Sequence, residues 1–140
     1  MSQVALFKRL QAPLKNVRWS WGSIRTSDNV IFLRVWQDKS KQFGGKVVVQ
    51  LSHNDDYKDE LDDLGHVERM EHIEKIRNGA LCYLITCRAV DVTDVPRKVK
   101  SFNERAVFPG GKLVEIEGET WIEMSPGIAI DEALPKVAAT

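Results

Sequence analysis

Three tryptophans stand within eighteen residues, and an arginine introduces each of their two groups. The groups are Arg18-Trp19-Ser20-Trp21-Gly22 and Arg34-Val35-Trp36-Gln37-Asp38. Flat indole rings can stack on nucleobases while neighbouring guanidinium groups neutralise phosphates, so this combination indicates nucleic-acid binding. The same rings could instead be hydrophobic core, because aromatic side chains often serve there. By themselves the tryptophans do not name a function.

Both groups lie in segments whose composition predicts β-strands, residues 17–25 and 29–37, joined by a polar turn. Because side chains alternate along a strand, Trp19 and Trp21 should share one face of the first strand. On the second strand, one face carries Phe32, Arg34 and Trp36, and the other carries Ile31, Leu33 and Val35. The aliphatic face is apolar enough to be core, so part of the aromatic surface should be available to a ligand.

The rest of the chain predicts one main helix at about 66–78 between further strands. Val67, Met70, Ile73 and Ile76 recur at helical spacing, and Asn78-Gly79 forms a natural helix end. Strands are expected at 46–51 and 80–92, a hairpin at 112–124 and a short closing strand at 128–130. About six strands with one helix in the middle favour a single α+β domain over residues 1–140. Its mixed sheet should curl into a small barrel.

Composition is that of an ordinary globular domain, with 43% hydrophobic and 29% charged residues among 140. No apolar run reaches the length of a membrane span, and the N-terminus lacks the order of a secretory signal, so a cytoplasmic location without a membrane partner is expected. The net charge is zero, but residues 1–50 carry +7 and the rest carries −7. Strong nonspecific binding to duplex DNA is not expected of a neutral protein.

The sequence predicts no metal site, no cofactor and no catalytic residue. Cys82 and Cys87 are five apart in one strand, so they should lie on opposite faces as free thiols. His53, His66 and His72 do not have zinc-site spacing, and His72 is expected at the surface or its boundary. Phosphate-binding P-loop, His-Asn-His nuclease and Gly-x-Ser-x-Gly patterns are absent. The chain is therefore expected not to be an enzyme.

The order of elements resembles the PUA-like superfamily, which includes the EVE, YTH and SRA domains. The resemblance spans roughly residues 15–130: two aromatic strands, a helix ending in Ile76-Arg77-Asn78-Gly79, a buried strand and a terminal hairpin. The two tryptophan groups are also similar to segments in specificity domains of modification-dependent HNH nucleases, which act in restriction–modification.

That resemblance implies recognition of a single flipped or unstacked base, modified in many such domains, with DNA as the expected partner. A nuclease domain or partner protein would then supply any reaction. The implied base pocket has Trp19, Trp21 and Trp36 as walls and Ser20 or Asp38 as hydrogen-bonding groups. The implied phosphate contacts are Arg18, Arg34, Lys39, Lys41, Lys98 and Lys100.

A different class of function remains open. The acidic segment 55–74 could bind a basic partner, as a small protein-interaction module or inhibitor would. Charge reversal at the aspartates of that segment would then abolish activity, whereas tryptophan substitutions would act through stability alone. A small-molecule enzyme is a third class, which lacks a visible acid, base or nucleophile.

Overall fold

The structure, a computed structural model, describes residues 1–57 and 63–136. These residues form three α-helices, nine strands and two short 3₁₀ helices. The helices are α1 (Gln3–Arg9), α2 (Asn54–Tyr57) and α3 (Leu64–Arg77). The strands are β1 (Gly22–Ile24), β2 (Ile31–Trp36), β3 (Ser40–Phe43), β4 (Lys46–Gln50), β5 (Cys82–Ala89), β6 (Val99–Phe102), β7 (Ala106–Ile116), β8 (Glu119–Met124) and β9 (Ile128–Ala129).

The strands form one mixed sheet in the order β1-β2-β5-β7-β8-β4-β3, with β6 beside β5 and β9 beside β7. Strands β2 and β5 run parallel, from Ile31 opposite Cys82 to Trp36 opposite Cys87. The other pairs in the described residues are antiparallel. The predicted α+β class with a mixed sheet is confirmed. Within the described residues β1 and β3 end the sheet without pairing to each other, so the sheet is open.

Helices cover both faces of the central strands. On one face, α1 packs Leu6, Phe7 and Leu10 against a cluster that includes Phe32 and Ile85. On the other face, Ile73 of α3 joins a cluster that contains the aliphatic side chains of β2, together with Leu84 and Ile122. Strands buried on both faces read as nearly continuous apolar runs, which explains the composition of β2 and β5.

Helix α1 was not among the predicted elements, and it corrects one expectation about β2. Phe32 was expected on an available aromatic face, but it is fully buried under α1. Ser2 begins the helix, because its hydroxyl accepts a hydrogen bond from the Ala5 amide at 3.1 Å. A helix of seven residues is marginal alone, so its packing on the sheet must stabilise it.

Helix α3 matches the predicted span and packs Met70, Ile73 and Ile76 of the predicted stripe against the core, but its buried face also includes polar residues. Val67 was expected in the apolar stripe and is exposed, whereas Glu68, Arg69 and His72 are buried. The expectation of a boundary position for His72 is therefore wrong. Arg69 can be buried in this face because three backbone carbonyl groups accept hydrogen bonds from its guanidinium group.

Other predicted elements are confirmed or corrected in detail. The hairpin of β7 and β8 turns at Glu117-Gly118, where both residues have positive φ. Asn78 is the C-cap of α3, as predicted. Cys82 and Cys87 are free and buried in the two opposite clusters, which confirms their placement on opposite faces. The estimate of about six strands was too low because the short strands β3 and β6 were not predicted.

In the part of the chain that the structure describes, no helix combines the length and apolarity needed to cross a membrane.

Candidate functional site

A cavity of about 540 Å³ opens beside the ends of β2 and β5. Its walls come from the last residues of β2, Cys87 of β5, the region of α2, the start of α3, the segment 94–97, and Arg18, Trp19 and Trp21. Because β2 and β5 are parallel, their carboxyl ends meet at the same edge, which is where ligands bind in many sheets of this kind. The volume falls within the range of roughly 300–1,000 Å³ that is common for small-molecule sites.

The three tryptophans of the sequence motif all line this cavity. Trp19 and Trp21 do not lie on a strand as predicted, because β1 begins at Gly22. Instead the segment before β1 turns: the Ser20 amide donates to the Asn16 carbonyl at 2.9 Å, and the Ser20 hydroxyl accepts from the Asn16 amide at 3.1 Å. This turn replaces the expected strand and brings both rings to the cavity.

Trp21 is held by an aromatic cluster that comes from distant parts of the chain. Its ring centroid lies 5.2 Å from that of Tyr57, 5.7 Å from His66 and 6.1 Å from His53. Gly65 packs against the indole so closely that an added Cβ would collide with Trp21 and lie 2.6 Å from the Trp19 carbonyl oxygen. The orientation of Trp21 therefore depends on glycine at position 65.

Trp36 interacts with Arg97, which also lines the cavity. The guanidinium carbon of Arg97 lies 5.3 Å from the Trp36 ring centroid. Asp38 accepts two hydrogen bonds from Arg97, at 2.7 and 3.0 Å, and the Val92 carbonyl accepts another at 2.7 Å. Burial raises the pKa of Asp38, but the bonds and charge of Arg97 outweigh it and hold that pKa below its ordinary value. Asp38 thus fixes Arg97 over the tryptophan.

Arg69 ties three segments of the cavity together. Its guanidinium donates to the Leu51 carbonyl at 2.9 Å, to the Trp21 carbonyl at 3.2 Å and to the Arg34 carbonyl. It also lies 5.6 Å from the Trp21 ring centroid. Burial, and secondarily the charge of Arg34, lowers the pKa of Arg69 to about 9, so the group keeps its charge near neutral pH. The side chain is a positively charged support behind the aromatic wall.

Arg34 is the second arginine at the inner end of the cavity. Its Nη1 donates to Gln3 Oε1 at 2.8 Å, and burial lowers its pKa. Within residues 1–57 and 63–136, no carboxylate lies at ion-pair distance from Arg34 or Arg69. The Nε atoms of both are buried without a hydrogen-bond partner among the described atoms. Positive charge therefore accumulates at this end of the cavity.

The histidines near the cavity are uncharged at neutral pH. Burial, reinforced by the charge of Arg69, lowers the pKa of His53 to about 3. Burial also lowers the pKa of His66, whose Nε2 accepts a hydrogen bond from the His53 amide at 3.3 Å. Among the described residues, no group of three or more His, Cys, Asp or Glu side chains is placed to hold a metal ion. These rings therefore act as aromatic neighbours of Trp21.

The structure brings together six of the eleven residues that the sequence predicted for the site. The lining residues among them are Trp19, Trp21, Trp36, Arg18, Arg34 and Lys39. Ser20 is buried instead, with its hydroxyl 3.2 Å from Glu68 Oε2. The Lys41 ammonium lies over Trp121 at 4.6 Å, and neither residue lines the cavity. Lys98 and Lys100 also lie outside it, although Arg97 and Val99 line it, because side chains alternate in direction along extended backbone.

The acidic segment 55–74 is divided in its roles. Asp55 and Asp56 are exposed, Asp63 caps α3 by accepting from the His66 amide at 2.9 Å, and Glu68 is buried. Burial raises the pKa of Glu68 despite its bond to Ser20. Asp59, Glu60 and Asp62 lie outside the described residues.

Several cavity residues were not predicted from the sequence. Tyr57, His53, Arg69 and Arg97 all line it. The usable signal for Arg69 is that Ile73 and Ile76 follow it by four and seven residues, which places Arg69 on the apolar face of the helix. Arg97 belongs to a basic cluster that was visible in the sequence, but its partner Asp38 is 59 residues away.

Comparison of the chain with models of known families, with curated proteins and with solved structures found no match.

Proposed function

We propose that this chain is a non-catalytic nucleic-acid-binding domain that holds one unstacked base, carrying a modification, in the tryptophan-lined cavity. The observation that carries the proposal is the convergence of Trp19, Trp21 and Trp36 on one cavity together with cationic side chains. Two separate segments supply these tryptophans, so their meeting is a property of the fold and not of adjacency in sequence.

Elementary energetics support an aromatic pocket for a base. Stacking on an aromatic side chain contributes about 1–3 kcal/mol per base, and burial of one methyl group adds about 0.8 kcal/mol. Exposed Arg18 and half-buried Lys39 also line the cavity, where they can meet the phosphates that flank the bound base. The aromatic walls would contribute affinity, while the fit around a methyl group would contribute discrimination.

The proposal extends to the fold family and the partner. The aromatic segments, the helix ending at glycine, the buried β5 and the terminal hairpin keep the order that resembles a PUA-like domain. On this proposal, the open sheet is an incompletely closed PUA-like barrel. DNA with a modified base is the proposed partner, and a nuclease domain or protein would act on it.

The competing proposal is a protein-interaction module that uses the acidic segment 55–74. The exposed Asp55 and Asp56 are the residues to test. Their replacement by lysine should leave oligonucleotide binding by the cavity intact or improve it, because negative charge near phosphates is removed. If the lysine variant instead loses binding to a basic protein partner while tryptophan variants keep that binding, the interaction module is the better description.

Tryptophan fluorescence titration tests the base-binding proposal. The probes are short DNA and RNA oligonucleotides, single- and double-stranded, unmodified or carrying 5-methylcytosine, 5-hydroxymethylcytosine or N6-methyladenine, at two salt concentrations. Quenching should depend on one modification and weaken with salt. Trp36→Ala should reduce affinity about tenfold or more, which corresponds to the loss of one stacking contact.

Trp121→Ala is the matched control, because Trp121 lies on β8 outside the cavity. Circular dichroism should show that both variants fold. An absence of quenching with every oligonucleotide, or equal losses in the Trp36 and Trp121 variants, would overturn the proposal.

A further inference from the structure

The inner end of the cavity carries two arginines that have no ion-pair partner among the described residues. Arg34 and Arg69 both line it, and within the described ranges neither has a carboxylate at ion-pair distance. Arg69 contacts carbonyl oxygens, and Arg34 contacts the amide oxygen of Gln3. Buried charge without a counter-ion is costly, and functional sites are where such costs persist. A ligand that supplies acceptor oxygens would reduce this cost.

Cations already lie near the tryptophan faces. Arg97 lies over Trp36 at 5.3 Å and Arg69 over Trp21 at 5.6 Å. The negative ring faces that attract cationic ligands in aromatic cages therefore already interact with arginines. A ligand with its own positive charge would meet repulsion from both guanidinium groups.

The nearby carboxylates do not reverse this balance. The charge of buried Glu68 acts on Arg34 and Arg69, but Glu68 is not at ion-pair distance from either, and burial raises its pKa. Asp56 and Asp94 are exposed, where water and salt screen their charges. Asp63 is engaged with the first turn of α3. Five cationic side chains line the same cavity, against these three aspartates, and Asp38 pairs with one of the five, Arg97. The environment around a bound ring is therefore electropositive where it is least exposed to solvent.

We propose that the cavity accepts an uncharged base with an exocyclic carbonyl oxygen, which accepts a hydrogen bond from Arg34, and rejects a base with a fixed positive charge. This rests on the proposed function and names the chemical class of its ligand. A guanidinium group donating to a base carbonyl is the pairing that arginine makes with guanine in DNA grooves. Methylation on carbon is compatible with this class, whereas methylation that creates a cation is not.

The test uses single-stranded oligonucleotides of one sequence with one central base changed. 5-Methylcytosine and 3-methylcytosine have the same heavy atoms, but the second is cationic at neutral pH. Hypoxanthine and adenine differ by a carbonyl oxygen in place of an amino group. Fluorescence titration should give the neutral base and the carbonyl base at least about tenfold higher affinity within each pair, the effect of one charge-assisted contact.

Two substitutions connect the selectivity to the residue. Arg34→Gln should shrink the ratio between 5-methylcytosine and 3-methylcytosine because the charge is removed, whereas Arg34→Lys should retain that ratio. Lys41→Gln, outside the cavity, should leave both pairs unchanged. If an Arg34 variant fails to fold, the ligand pairs measured on the native protein still decide the question.

The outcomes separate the two proposals. Quenching that depends on Trp36, but with 3-methylcytosine bound as tightly as 5-methylcytosine, would overturn the charge selectivity and leave the base-binding function standing. Adenine bound as tightly as hypoxanthine would overturn the carbonyl contact. No quenching with any of the four oligonucleotides would overturn the function itself.

Discussion

Two buried arginines on opposite faces of the sheet are held in different ways. Arg25, on the face covered by α1, makes a bidentate pair with Asp28 at 2.9 Å and donates to the carbonyls of Leu10 and Ala133. Arg69, on the face covered by α3, donates to three carbonyls and has no carboxylate partner among the described residues.

The difference separates an arginine with a carboxylate partner from one that contacts only backbone carbonyls. The charge of Arg25 is neutralised locally, and its bonds join residues far apart in the chain. Four buried polar side-chain atoms lack a partner among the described residues, and they belong to Arg34, Glu68, Arg69 and His72. These atoms come from α3 and from Arg34 at the cavity. Two of the four atoms, the Nε atoms of Arg34 and Arg69, thus belong to residues that line the cavity where a ligand is proposed.

Replacement of each arginine by methionine gives the largest expected effect. Arg25→Met and Arg69→Met should each lower the free energy of unfolding by about 2–4 kcal/mol, because buried carbonyls lose their donors. Only Arg69→Met should also abolish oligonucleotide quenching, since it removes the support of Trp21. Urea denaturation and fluorescence titration of the folded fraction measure the two effects. Loss of binding in Arg25→Met equal to that in Arg69→Met would erase the distinction.

Acidification should destabilise the face covered by α3 first. Burial lowers the pKa of His53 to about 3 and of His72 to about 4, so the unfolded chain binds protons more tightly than the folded chain below about pH 6.5. Stability is complete above that pH and falls toward pH 4, by up to about 1.4 kcal/mol per pH unit for each histidine.

Thermal or urea unfolding between pH 7 and pH 4.5 measures this slope. His72→Leu should flatten it, because one buried titrating group is removed. The Arg25–Asp28 pair on the other face responds at lower pH. Because Arg25 lowers the pKa of Asp28, the stability that this pair contributes is lost only below about pH 4. An unchanged slope in His72→Leu would contradict the assignment.

Gly65→Ala tests how closely the aromatic wall is packed. The added methyl group meets the Trp21 indole and the Trp19 carbonyl, so something must shift. We expect a loss of about 1–3 kcal/mol in stability, as in other overpacked sites, together with weaker oligonucleotide binding. A shift in the tryptophan emission spectrum would report the movement of Trp21. Unaltered emission and binding would mean that the residues around position 65 accommodate the methyl group without displacing Trp21.

The smallest expected effect distinguishes Lys39 from Lys41, two lysines that follow β2 in the chain. Lys39→Gln should weaken oligonucleotide binding modestly and reduce the salt dependence by about one phosphate contact. Lys41→Gln should change neither quantity, because Lys41 lies over Trp121 on another part of the sheet. Titrations at several salt concentrations compare the two slopes. Equal slopes would place phosphate contacts beyond the cavity rim.

Local patterns were informative where one element determined the answer. Helical spacing located α3 and its end at Asn78, and the apolar run located β5. They were less informative where a side chain in one element depends on a distant one. Of the strand predicted at 17–25 only Gly22–Ile24 forms, because Asn16 and Ser20 make a turn before it. The boundary position predicted for His72 is wrong because α3 also buries polar residues.

The sequence alone determined the residue types available to a site: three closely spaced tryptophans, adjacent arginines, free cysteines on opposite faces, and the α+β class. The tertiary structure decided which of them meet. The turn before β1 brings Trp19 and Trp21 to the same cavity as Trp36, Arg69 donates to the carbonyls of Trp21 and Arg34, and Asp38 holds Arg97, its partner 59 residues away. Period and composition describe neighbours along the chain, whereas a cavity is built from contacts between elements, which only packing specifies.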